Sequence, residues 1–128
     1  MNTISLEELD KMGGFWKYNS KKIIEFRTKI GAFVYKEQLL HIKGMSPDYF
    51  EKMKESISLS TGKTKIININ TATRDEFKTN PYFTEYLIYK IIRYREKNNK
   101  FKKVEELLEN KYIEQEQFNT LKYYIKAN

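Results

Sequence analysis

The side chains of this chain best suited to chemistry are amines. One set lies in the first half: Lys17, Lys21 and Lys22 beside Gly14 and Trp16 in "MGGFWKYNS" (12–20), and Lys43 beside Gly44 and Ser46 in "IKGMSPDYF" (42–50). A second set runs Lys90, Arg93, Lys97, Lys100, Lys102 and Lys103. Lys90, Arg93 and Lys97 recur at helical spacing and share one helix face. Clustered cations neutralise a polyanion, for which a phosphate backbone is the commonest target. The second set also reads as a solvated face, balanced in part by Glu96 and Glu105. Catalysis has no comparable constellation. His41 is the single histidine, cysteine is absent, and nothing has metal-ligand spacing. The chain reads as a non-enzyme with no catalytic residue, no metal and no cofactor.

The elements that hold these amines follow from composition. At 128 residues the chain fits one compact domain or two very small ones. Ten Tyr and eight Phe against five Gly and two Pro favour helices with aromatic cores over a turn-rich β fold. The formal charge of +7 divides into +2 for residues 1–60 and +5 for 61–128. A basic excess suits nucleic acid or an anionic surface, and also serves solubility. No apolar run is long enough to span a bilayer, and no signal peptide is written.

One internal repeat organises the chain. Shifted by 68 residues, the halves align without a gap. Asn2-Thr3 falls on Asn70-Thr71, Glu8 on Glu76, Phe15 on Phe83 and Tyr18 on Tyr86. Lys22-Ile23-Ile24 falls on Lys90-Ile91-Ile92, Arg27 on Arg95, Phe33 on Phe101, and Leu39-Leu40 on Leu107-Leu108. The reading is a duplication, with a first unit over 1–58, a polar linker over 59–66 and a second unit over 67–128. Ser5-Leu6-Glu7-Glu8 and Thr73-Arg74-Asp75-Glu76 are both capping-box patterns, so the repeated phrase opens a helix. Leu87, Ile88, Ile91, Ile92 and Arg95 keep helical spacing. Gly31 closes the helix that carries Ile23 and Ile24, and Ser46-Pro47 opens another. Phe50, Met53 and Ile57 form an apolar stripe on it.

The phrase "INTATRDEF" (69–77), with "YKIIRYREKNNKFKKVEELL" (89–108), resembles the helix-hairpin-helix domain of the competence DNA receptor (ComEA-like) family. Both halves carry the likeness. It implies an all-α fold of tandem duplicated units, with two helix-hairpin-helix motifs in each and four in total. It also implies a mechanism. Paired glycines in each hairpin let the backbone approach a DNA phosphate, and N–H groups at the next helix start donate to it. Such binding is sequence-independent and salt-sensitive.

The hairpins depart from the family's glycine pairs. Gly14 and Gly44 keep the first position, with Trp16 and Ser46 at the second. The second unit has Tyr82 and Thr84, then Tyr112 and Glu114. The expected DNA-binding residues are therefore the two amine sets above with Gly14, Trp16, Gly44 and Ser46. Arg95 reads as structural, bonding carbonyls at a hairpin.

Two functions stand. One is a non-enzymatic, sequence-independent module for double-stranded DNA. The other is a degenerate scaffold that mediates protein–protein interaction, with Phe15-Trp16 as an anchor for a protein partner. The family's receptors carry an N-terminal membrane anchor. Unit two has a lead-in, "KIINI" (65–69), where unit one has only Met1. A trimmed anchor would make the chain periplasmic or surface-facing; otherwise it is cytoplasmic.

Overall fold

A computed structural model describes residues 14–56, 59 and 62–128. The capping-box pattern at Ser5–Glu8 lies outside them, as do Ile57 and the side chains of Phe15, Trp16, Lys17 and Met53. The chain divides into two compact units, 1–64 and 65–128. The fold is mostly helical, as expected, with one two-residue strand pair among the described residues. No helix of the described residues is long and apolar enough to cross a membrane.

The first element among the described residues of unit one is α1, Gly14–Ile30. This corrects the reading of 12–20 as a hairpin ahead of a helix, because Gly14 and Trp16 already lie in the first turn of α1. Gly31, at φ +90°, ends α1 and donates to the Arg27 carbonyl at 2.7 Å. A left-handed φ costs glycine nothing, which is why the helix stops there. A 3-10 helix at Lys36–His41 follows, then α2 at Pro47–Met53. Pro47 holds the first helical position, and Phe50 N–H donates to the Ser46 carbonyl. Ile23, Ile30, Leu39 and Phe50 are buried, and Phe26 stacks on Phe33 with ring centroids 5.9 Å apart.

Unit two begins with β1, Ile67–Asn68, and continues with α3, Arg74–Lys78, and α4, Glu85–Asn98. Then come α5, Glu106–Glu109, and α6, Gln115–Leu121. A 3-10 turn leads into β2, Ile125–Lys126, which pairs with β1 in parallel. The lead-in "KIINI" thus supplies a strand that ties the start of the unit to its end. The capping box at Thr73 is present: Glu76 N–H donates to Thr73 Oγ1 at 3.2 Å, and Thr73 N–H to the Glu76 carboxylate at 3.4 Å. So the repeated phrase does open a helix in this unit. Helical spacing places Leu87, Ile88 and Ile91 of α4 in a core with Phe77, Phe101, Leu107 and Leu121. Each such side chain contributes about 1.5–3 kcal/mol by burial.

The asparagine of the phrase has a separate task. Asn70 Nδ2 donates to the Phe101 carbonyl at 2.9 Å, and its Oδ1 accepts from Phe101 N–H at 2.7 Å. The amide also donates to the Asn128 carbonyl at 3.2 Å. Arg95 Nη1 donates to the Ala72 carbonyl at 2.7 Å, a structural bond as expected, but to the turn ahead of α3 rather than to a hairpin. Asn70→Ala leaves the Phe101 backbone without these partners and should cost about 2–4 kcal/mol, read as a lower urea midpoint. A cost under about 0.5 kcal/mol would show that water replaces the amide.

Candidate nucleic-acid interface

The two units place the same structural position to different use. In unit one, α1 sends Lys22 across to the hairpin before α2. Its amine donates to the Lys43 carbonyl at 3.4 Å. A Cβ on Gly44 would lie only 3.0 Å from that amine, and Gly44 has φ +91°. Glycine is therefore needed twice here, for the backbone angle and for the close approach. Lys21, Lys22, Lys43, Gly44 and Ser46 are all exposed. The result is a notch in which an exposed amine faces a side-chain-free turn just ahead of a helix start. Lys17's side chain lies outside the described residues, so the notch rests on Lys22, Lys43 and Gly44.

In unit two the position of Lys22 is taken by Lys90 and that of Gly44 by Tyr112. Here Lys90, Arg93 and Lys97 of α4 line a cavity of about 150 Å³ with Tyr89, Tyr94 and Tyr112. The helical spacing of the three cations does bring them together. Lys90 lies over the Tyr86 ring at 5.5 Å, and Arg93 over the Tyr89 ring at 5.7 Å. Tyr94 stacks on Phe101 at 4.1 Å and meets Tyr112 edge-on at 6.5 Å. Burial, with the nearby charges of Glu106 and Glu109, raises the Tyr94 phenol above its ordinary pKa. The phenol therefore stays protonated, as a donor.

Lys100, Lys102 and Lys103 do not join that cavity. Asn99, at φ +68°, ends α4 and turns the chain away. Lys103 pairs with Glu109 at 3.0 Å, and this hydrogen bond and charge raise its pKa. Lys102 N–H donates to the Glu106 carboxylate at 2.8 Å, a backbone cap rather than a ligand contact. Gln38 holds the matching position in unit one, where its side-chain oxygen accepts from Tyr35 N–H at 2.9 Å.

The hairpins of unit two carry their own anions. Thr84 caps α4, accepting from Leu87 N–H at 3.1 Å. Glu85, in the first turn of α4, pairs with Arg74 at 3.2 Å and Lys78 at 3.5 Å. Glu114 is the N-cap residue of α6. Carboxylates favour helix starts because of the positive dipole end there, and in doing so they repel a phosphate. Neither Tyr82 nor Thr84 adopts a positive φ; Lys111, at +60°, makes the turn before α6. Glu85→Gln should therefore strengthen binding of duplex DNA about two- to fivefold, since a repulsive charge goes and Arg74 and Lys78 lose their partner. Weaker or unchanged binding in an anisotropy titration would place Glu85 away from the phosphates.

The sequence identified the cations of this cavity but not its tyrosines. Tyr89 and Tyr94 flank Lys90 and Arg93 in "YKIIRYR", and basic residues interleaved with aromatics are the signal that marks them. Tyr112 stood out only as a lost glycine. Among the described residues, no group of His, Cys, Asp or Glu side chains could hold a metal ion.

Comparison with known proteins agrees with this architecture. The profile of the helix-hairpin-helix motif matches residues 1–58 and again 62–126. The chain is 26% identical over 126 residues to endonuclease/exonuclease/phosphatase family domain-containing protein 1 of Danio rerio, covering 84% of this chain and 23% of that protein. The proteins of the same name in Bos taurus and Mus musculus are 25% identical over 139 and 137 residues, covering 84% of this chain and 24% of each. The chain therefore spans about a quarter of the length of these relatives. No solved structure gives a significant match.

Proposed function

The chain belongs to the helix-hairpin-helix family, and from that membership we propose a non-enzymatic module that binds double-stranded DNA through its phosphate backbone, whatever the sequence. Motifs of this family are generally nucleic-acid binding. The observation that carries the reading is the notch of unit one, where the Lys22 amine faces Gly44 in the left-handed conformation beside the start of α2. A phosphate there meets an amine, a second lysine from the turn and a backbone without a side chain in the way. Within the family, the Ile-Asn-Thr-Ala opening and the Tyr-Arg pair favour the competence DNA receptor (ComEA-like) branch. The name of the relatives refers to endonuclease/exonuclease/phosphatase domains, and a nucleic-acid-holding role agrees with it.

The test is a fluorescence anisotropy titration of two 20-base-pair duplexes of unrelated sequence, at about 50 and 200 mM salt. The reading predicts equal micromolar affinities that fall by at least about tenfold between the two salts. Absence of binding at the lower salt would overturn it. A second reading is a scaffold for a protein partner. It is favoured by Glu85 and Glu114, which put carboxylates at the helix starts of unit two where phosphates would dock.

A further inference from the structure

The cleft of unit two differs from the notch of unit one in a way that changes its ligand. Both are built on the same register of the duplicated fold. In unit one the residues at this place are Lys21, Lys22, Glu25 and Gly44; in unit two they are Tyr89, Lys90, Arg93 and Tyr112. The exchange removes an acid, adds a guanidinium and adds two aromatic rings. Unit one keeps a bare turn suited to a phosphate alone. Unit two has cations and π faces side by side.

We propose that the α4 cleft of unit two binds single-stranded nucleic acid, with phosphates against Lys90, Arg93 and Lys97 and bases stacked on the exposed tyrosines beside them. The proposal rests on the reading of the chain as nucleic-acid binding. Three observations carry it. No carboxylate lines the cleft, and no ion pair engages Lys90, Arg93 or Lys97 among the described residues. The nearest acids on α5 are engaged: Glu109 holds Lys103, and Glu106 holds Lys102 N–H. Tyr86 is 58% exposed and Tyr89 47% exposed, large rings left in water on the helix that carries the cations.

A duplex has no use for those rings, since its bases already stack on one another. A single strand offers an open π face for each ring, next to a phosphate for each cation. The pairing of Lys90 with Tyr86 and of Arg93 with Tyr89 orients both groups in advance. Tyr94 and Tyr112, half-buried and in edge contact, form the wall against which a strand lies. The hairpins of unit two cannot serve instead, because Glu85 and Glu114 occupy their helix starts.

The experiment compares a labelled dT20 strand with an abasic strand of the same length, which has the phosphates without the bases. The full chain should bind dT20 about tenfold more tightly than the abasic strand. A Tyr86→Ala/Tyr89→Ala double variant should remove that difference, and a Lys90→Glu/Arg93→Glu variant should weaken both strands at least about tenfold. All four side chains stand on one helix, with Tyr86, Tyr89 and Arg93 exposed and Lys90 half-buried, so circular dichroism should show the fold retained. Photo-crosslinking of a strand bearing 5-iodouracil to the unmodified chain should label Tyr86, Tyr89 or Tyr112. Equal affinity for dT20 and the abasic strand would overturn the proposal, as would a difference that survives in the tyrosine variant or crosslinks confined to other residues. Duplex binding at the Gly44 notch is read separately. Its loss with dT20 binding intact defeats the unit-one reading alone, and the reverse defeats only this one.

Discussion

Phe101→Ala should destabilise unit two by about 3–5 kcal/mol. Phe101 is 1% exposed, so truncation removes a whole ring from the core and leaves a cavity between α4 and the chain that follows it. It also removes the ring under Tyr94, whose centroid lies 4.1 Å away. The backbone of residue 101 is pinned by Asn70, so the chain cannot slide inward to fill the gap. Unfolding of the full chain in urea, followed by circular dichroism, should show part of the transition moving to lower denaturant. Binding at the α4 cleft should weaken with it, because Tyr94 loses its floor. A loss under about 1 kcal/mol would mean that the core repacks, and the account of how unit two positions its tyrosines would fail.

Lys22→Glu/Lys43→Glu should weaken binding of duplex DNA at least about tenfold at low salt, and lower the salt dependence by about two phosphate equivalents. The two lysines converge on one turn: the Lys22 amine bonds the Lys43 carbonyl, and the Lys43 side chain is exposed beside it. Reversal does more than delete two attractions, because a carboxylate at Gly44 would face the phosphate directly. Both residues are exposed, so the fold should survive. Unchanged affinity would remove the notch from the interface.

Much of this fold was legible in the sequence, and the reasons are specific. The 68-residue repeat marked two units because Ile23, Phe33 and Leu39 face a core as Ile91, Phe101 and Leu107 do. The Phe26–Phe33 stack recurs as Tyr94–Phe101. Thr73 announced its helix through local capping chemistry, which needs no tertiary context. Gly31 announced a stop in the same way. The strand pair was not legible, since two residues in each strand carry too little pattern to separate a strand from a linker. Nor was the extent of α1, because the family likeness put a hairpin at 12–20, where Gly14 and Trp16 are already helical.

The candidate site was legible in part. Helical spacing grouped Lys90, Arg93 and Lys97 correctly. Charge alone could not separate them from Lys100, Lys102 and Lys103, because the turn at Asn99 and the Lys103–Glu109 pair are tertiary facts. The approach of Lys22 to Gly44 was equally invisible, since the residues stand 22 apart in sequence and meet only once α1 packs beside the hairpin. Glu114 was legible as a charge of the wrong sign. Glu85 was not, because its two basic partners come from the preceding helix.

The most direct measurement is a two-dimensional amide NMR titration of the full chain with a duplex of about 12 base pairs, at low salt. On this account the amides of Lys43, Gly44, Met45, Ser46 and Asp48 should shift progressively, in fast exchange, and return when salt is raised. Shifts confined to other regions, or none at millimolar duplex, would contradict it.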